Sequence, residues 1–371
     1  MLQLRHDVPP ASWTIVMTSG VVSIDLSRDH QAVLSAIMAW FAALVWLFLA
    51  VTVAAPLACQ RSRFRREAGR PVTIAGVAAT CVLGTRLALQ GYRVAAAALL
   101  VLAAVGWALL LIPVLRQWKT PTTGISFVVG VATDGLALLS ATLAIAFRAG
   151  WLVSVAVAFL LLGLALYIFT AARFDLRQLL TGMGDHWIAG GALAISALAA
   201  GVITQAARML GQFTQQHQVL TTGTLVLWSL ALAWVPVLLV CEAVRPRLQY
   251  DLRRWATVFP LGMYAACSFT VGQVAGISGI SRFGQVETWV AVAATVAVLA
   301  GLIRQLWRAR PLVGDHGHAG HRYPSCPDAV SRETLLKGLS NPLIGSLVCV
   351  SLAGRPASRV AHPPVSTRST P

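Results

Sequence analysis

Arg86, toward the end of a long apolar stretch at 71–90, and Asp134, in the middle of one at 123–147, are charged residues set among apolar ones. A charge in such a segment is costly unless it meets water, a partner or a proton, so buried charges of this kind mark routes for ions or protons. Asp134 allows three readings. It is a largely protonated acid that couples proton movement to anion movement, a fixed charge that repels a passing anion, or half of a structural pair with Arg86. Arg86 lies about 8 Å from the centre of its segment and Asp134 about 1–2 Å on the opposite side of its own, at about 1.5 Å per residue. The axial gap of ~10 Å is too long for direct contact, but Arg86 leans back along its helix, so a pair bridged by water is expected over a direct salt bridge.

Other chemistries lack their residues. No His falls inside an apolar stretch, and the six cysteines are scattered without a CxxC pair. Neither a metal site nor a disulfide framework is expected, and no cofactor. The chain has no GxxxxGK[ST] loop for nucleotide. A membrane-embedded enzyme and a non-transporting sensor are therefore the remote alternatives.

These residues sit in an all-α integral membrane protein. Hydrophobic residues make up 57% of the 371 and charged residues 11%, too little charge for a soluble surface of this size. Ten apolar stretches of roughly 20 residues suit helices and not the shorter strands of a barrel. They fall at about 11–26, 32–56, 71–90, 94–115, 123–147, 151–170, 187–207, 220–243, 255–276 and 286–306. The first is short and moderately polar, with Asp25 and several hydroxyls. No cleavable leader is evident. Asp25 and Glu242 fall near segment ends and need no special role. Asp185 is placed to cap the seventh stretch, and His186 beside it is read as structural over a pH sensor.

The net charge is +16. The basic residues sit in short loops, which favours topology and anionic headgroups over nucleic acid. Loops after even stretches hold Arg61, Arg63, Arg65, Arg66, Arg70, Arg116, Lys119, Arg173, Arg177, Arg245, Arg247, Arg253 and Arg254. Loops after odd stretches hold Arg28, Arg93, Arg148, Arg208 and Arg282, or thirteen against five. The positive-inside rule puts the richer loops and both termini in the cytoplasm. Residues 1–310 then form a membrane domain, and 311–371 a disordered cytoplasmic tail rich in Pro, Ser and Arg. Its His316–His321 run reads as incidental, with weak metal binding as the alternative.

Odd and even stretches differ in kind. The odd ones are rich in Gly, Ser and Thr; the even ones are mostly Leu, Ala, Val and Trp. Small residues allow close helix packing with no pore. Their concentration in alternate helices also fits five inner helices lining a conduit, shielded from lipid by five outer ones. Candidate lining residues are Thr18, Ser19, Thr80, Thr85, Thr133, Ser196 and Thr257. All odd helices would point their partly positive N-termini toward the cytoplasm, beside the arginine loops, which favours an anion path.

Several segments resemble the tellurite-resistance/dicarboxylate transporter family, which includes slow anion channels, malate permeases and sulfite efflux proteins. The first stretch, from Trp13 to Ser23, resembles its opening helix. The run from Arg173-Phe-Asp-Leu-Arg177 through Gly184-Asp-His-Trp187 into Gly190–Ser196 resembles its bacterial branch. Trp255-Ala-Thr-Val-Phe-Pro-Leu-Gly262 is similar to its Trp-x-x-x-Phe-Pro helix. The resemblance implies a quasi-fivefold pore in each subunit of a homotrimer, in the cytoplasmic (inner) membrane, with the ninth-helix Phe as plug. Here that residue is Phe259. Pro260 beside it lacks a backbone donor and kinks the helix, pushing the ring toward the axis. Ordinary core packing remains the other reading of Phe259. The bacterial pattern has Gln where this chain has Asp134. The expected function is transport of small anions, either C4-dicarboxylates such as malate or oxyanions such as sulfite or tellurite. A proton-coupled carrier is the alternative.

Overall fold

The computed structural model describes residues 12–59, 69, 71–182, 184–246 and 250–308. The expected tail from 311, with its His316–His321 run, and Arg61, Arg63, Arg65, Arg66, Arg70 and Arg247 lie outside the described residues. The described residues from 12 to 303 belong to one compact unit.

Helix dominates the described residues; the exception is an isolated bridge between Thr122 and Phe174. The long helices are α1 (Trp13–Arg28), α2 (Ala32–Cys59), α3 (Ala75–Leu89), α4 (Arg93–Arg116), α5 (Val128–Phe147), α6 (Trp151–Ala171), α7 (Ile188–Met209), α8 (His217–Val244), α9 (Trp255–Ala275) and α10 (Ser278–Arg308). Nine of them, counting the short 3-10 turns that lead into some, are long and apolar enough to cross a membrane. The exception is α1, at 16 residues. The protein is thus a multi-pass, all-helical membrane protein. The last helix starts at Ser278, earlier than its apolar run from 286 suggests. The polar lead-in is helical because it packs on α9: a methyl on Gly272 would collide with Ser281, and one on Gly284 would lie 3.1 Å from the Ala265 carbonyl.

Burial alternates along the chain. The spans containing α3, α5, α7 and α9 are 72%, 94%, 100% and 83% buried, against 22%, 17%, 33%, 22% and 17% for α2, α4, α6, α8 and α10. In α1 every residue from Thr14 to Leu26 is buried. The exposed faces of the even helices carry Trp40, Val101, Leu109, Leu161, Val226 and Val296. Such surface is stable only against lipid or another apolar partner.

The buried helices close on one another. α1 packs on α3, α3 on α5, α5 on α7, α7 on α9, and α9 on α1. Contacts along each seam keep a nearly constant sequence offset, which is the mark of parallel neighbours. Thr18 bonds Trp255 and Arg28 bonds Ala266, offsets of 237 and 238. Gly20 faces Val82 and Ser23 meets Arg86, offsets of 62 and 63. Gly191 faces Pro260 and Gly201 faces Thr270, both 69 apart. Each intervening even helix returns the chain antiparallel, so consecutive odd helices point the same way.

The glycines explain the tightness. A methyl at Gly20 would lie 2.7 Å from Val82 Cγ1, and one at Gly135 would lie 3.1 Å from Cys81 Cβ. Small residues bring backbones together where apolar burial alone cannot drive association.

The outer helices are pinned by tryptophan. The indole of Trp46 on α2 donates to Thr80 on α3 at 2.9 Å, that of Trp107 on α4 to Thr133 on α5 at 2.9 Å, and that of Trp228 on α8 to Ser268 on α9 at 2.9 Å. These three even helices are thereby each tied to the odd helix that follows. A buried indole N–H needs such a partner. Trp107→Phe and Thr133→Val should each be mildly destabilising, with a double-mutant coupling of about 0.6 kcal/mol, as for other interhelical bonds in membranes. Reversible unfolding in mixed micelles measures it; additivity of the two changes would show that the bond contributes nothing.

Candidate functional site

The Phe259–Pro260 pair lies on α9, between α1 and α7. The helix starts from a fixed cap: Asp251 accepts from the Arg253 backbone N–H at 2.8 Å and from its guanidinium at 3.2 Å. Burial pushes the Asp251 carboxyl up, but the bonds and charge of Arg253 outweigh it and hold the group below its ordinary value. Pro260 sits inside the helix and cannot donate to the carbonyl one turn back. One turn toward the start, the Thr18 hydroxyl donates to the Trp255 carbonyl at 3.1 Å and fastens α1 there.

Glycines lie close on both sides of this stretch. A methyl at Gly191 on α7 would lie 2.8 Å from Pro260 Cγ, and one at Gly262 on α9 would lie 2.9 Å from Val21 Cγ1 of α1. Phe259 is 1% exposed and ranks with Trp255, Tyr264 and Phe127 among the largest fully buried side chains. Thr257, two residues before it, is half-buried and donates to the Gly184 carbonyl at 3.5 Å.

The charged residues are distributed over the seams. Arg86, 6% exposed, donates to Ser23 of α1 at 2.8 Å and to Ser35 of α2 at 2.7 Å. The two serines are locked together: each hydroxyl donates to the other's carbonyl, at 2.7 and 2.6 Å. Asp134 bonds instead to Ser196 of α7. Its carboxylate occupies the space over Gly163 of α6, where any Cβ would collide with it. Arg86 and Asp134 therefore have separate partners, and the pair considered from sequence is replaced by two independent links.

Asp25 lies near a segment end, in the last turn of α1, but it is buried there. It is 0% exposed, with neither carboxylate oxygen hydrogen-bonded among the described residues. It faces Gly262 of α9, and Arg28 follows one turn along α1. Arg28 reaches across to α9, donating to the Ala266 carbonyl at 2.8 Å and the Thr270 hydroxyl at 2.6 Å. The available signal was spacing: Asp25 follows Thr18 by two turns, on the same face of a short helix.

The hydroxyls singled out from sequence are all hydrogen-bonded. Ser19 donates to the Ile15 carbonyl at 2.6 Å and Thr85 to that of Cys81 at 2.9 Å. Thr80 and Thr133 donate to the preceding turn while accepting from Trp46 and Trp107 of outer helices. Ser196 serves both Asp134 and the Ala192 carbonyl. Back-bonding of this kind satisfies a hydroxyl without water. The structure thus puts Thr18 on the α1–α9 seam, Pro260 on the α7–α9 seam, Ser196 and Asp134 on the α5–α7 seam, and Arg86 on the α1–α3 seam.

The arrangement is a parallel ring of five buried helices, sheathed in apolar ones, with an aromatic side chain beside a proline inside α9. Comparison with known proteins agrees in kind. The voltage-dependent anion channel family (SLAC1) matches residues 7–303. The chain is also 27% identical over 154 residues to the uncharacterized membrane proteins MT1776 and Rv1735c of Mycobacterium tuberculosis strains CDC 1551 / Oshkosh and H37Rv, a match covering 38% of this chain and 73% of each relative. The family match spans nearly all of the described helices, including the Phe-Pro helix and the opening helix that carries Asp25: the chain belongs to the voltage-dependent anion channel family, that of the slow-anion-channel and tellurite-resistance/dicarboxylate transporters.

Proposed function

We propose that this protein carries small anions across the cytoplasmic (inner) membrane through the centre of the α1–α3–α5–α7–α9 ring, and that Phe259 plugs that path. The closed parallel ring is the observation that carries the reading. A hydrophobic constriction among helices is a common way to gate an ion path. Membership in a family of anion channels supplies the sign of the substrate. C4-dicarboxylates such as malate, and oxyanions such as sulfite or tellurite, are the proposed classes.

All ten helices cross in this reading. α1 does so despite its length, because it runs parallel to α3 and α9 and closes the ring between them. An even count, with the arginine asymmetry, puts both termini in the cytoplasm. Residues 1–310 then form the transport domain, 311–371 a cytoplasmic tail, and three copies a homotrimer with one path each. Purified protein in liposomes tests the function: radiolabelled malate or sulfite should enter faster than into empty vesicles, and no entry of any tested anion would reject it.

Asp134 supports a second reading, proton-coupled transport. The acid is 1% exposed in α5, with one oxygen unbonded among the described residues and no ion-pair partner there. A buried carboxyl that exchanges a proton would tie flux to the pH gradient. Asp134→Asn keeps the shape and removes the titrating group. Under this reading the variant loses the pH dependence of uptake; an unchanged pH profile leaves Asp134 a structural link between α5 and α7.

A further inference from the structure

Guanidinium groups strap together the C-terminal ends of the odd helices. Arg28 ties α1 to α9, Arg86 ties α3 to α1 and α2, and Arg208 ties α7 to α9 and α8 by bonds of 2.9 Å to the Val274 carbonyl and 2.7 Å to Thr221. The corresponding end of α5 lacks such a tie. Arg148 follows the last residue of α5, and its side chain lines a cleft of about 480 Å³ with Arg93, the first residue of α4. Among the described residues neither guanidinium has a hydrogen bond or an ion pair. The amino-terminal end of α4 adds its own partial positive charge beside Arg93.

The backbone at Arg148 is a second observation. It adopts φ 53° and ψ 39°, left-handed, where the ends of α3, α7 and α9 use Gly91, Gly211 and Gly276 at φ 91°, 65° and 70°. A side chain at such a position is strained, and strain of this kind collects at ligand clamps. The rest of the cleft wall is apolar and open to the surroundings. Phe147 is 46% and Met209 68% exposed, with Leu210 between them. Two unpaired guanidiniums above an apolar lip match a phosphate group carried on acyl chains.

The geometry points to an anion site in this cleft, with Arg93 and Arg148 clamping a phosphate-type oxyanion that completes the strap at α5. The apolar lip favours a phospholipid headgroup over free phosphate as the source. The site is separate from the proposed path, so a binding measurement tests it whether or not the ring conducts.

Thermal unfolding of the delipidated full chain in neutral detergent is the test, with phosphatidylglycerol, inorganic phosphate and diacylglycerol as probes. Phosphatidylglycerol should raise the unfolding temperature more than diacylglycerol, with an apparent affinity that falls about tenfold or more in Arg93→Gln and in Arg148→Gly. Arg148→Gly should unfold no earlier than wild type without lipid, since glycine relieves the left-handed strain. That separates lost binding from lost folding. A matching shift with inorganic phosphate assigns the site to free oxyanions; a shift with the phospholipid alone assigns it to a headgroup. Equal shifts with diacylglycerol, no shift with either phosphate-bearing probe, or unchanged affinity in both variants would overturn it.

Discussion

Phe259→Ala should raise anion flux into proteoliposomes by about tenfold or more, since lowering a barrier by about 1.4 kcal/mol accomplishes that. The side chain is 1% exposed beside Pro260 of α9, in a ring whose seams hold close glycine contacts. Truncation leaves a hole at that level. In a dry core the hole would lower stability by about 3–5 kcal/mol and conduct nothing. On a conduction path it would also admit water and ions. The two readings of Phe259, plug and packing, thus differ in flux even where they agree in stability. Phe259→Leu serves as the graded control, with flux between wild type and the alanine variant. Size-exclusion profiles confirm that each variant is folded before flux is compared. Wild-type flux in a folded Phe259→Ala protein would remove the plug and leave Phe259 as core.

Much of the arrangement was legible in the alternation of composition. Odd segments carry Gly, Ser and Thr, and the structure buries them; even segments carry Leu, Val and Trp, and the structure exposes them. The use made of the small residues was not legible. Gly20, Gly135 and Gly191 each face a named side chain on an adjacent odd helix, a relation between segments some sixty residues apart that no local pattern encodes. Thr80 and Thr133 were read for their hydroxyls, whereas the informative partners were Trp46 and Trp107. An indole N–H in an otherwise apolar helix has to find an acceptor, and the adjacent odd helix holds it. The burial of Asp25 was not legible for a different reason. Its distance from the end of an apolar run says nothing of the neighbour above it, and Gly262 of α9 closes over it from 237 residues away. Arg86 and Asp134 drew attention as the rare charges, yet their partners are serines, which are too common in the odd segments to be singled out by type.

Gly191→Val should be the most damaging single change in the α7–α9 seam. The β-carbon alone would lie 2.8 Å from Pro260 Cγ and 3.0 Å from Pro260 Cβ, and 3.2 Å from its Cα, which is backbone. The proline ring cannot rotate out of the way as a flexible side chain would, because the ring itself fixes the backbone angle. The two added methyls of valine find no other space in a fully buried helix, so α7 and α9 must separate. Overpacking of this kind costs about 1–3 kcal/mol, and more where backbone must shift. Folded yield from membranes should fall sharply, and the surviving fraction should unfold at lower temperature. Gly223→Val is the matched control: it places the same side chain on exposed α8, where nothing lies within 4 Å of the new β-carbon, and should behave as wild type. Parallel behaviour of the two variants would mean that the α7–α9 contact does not hold the Phe259–Pro260 segment in place. Loss at Gly191 alone would show that the Phe259–Pro260 turn is held in place by its neighbour across the seam, which is what a plug at a fixed depth requires.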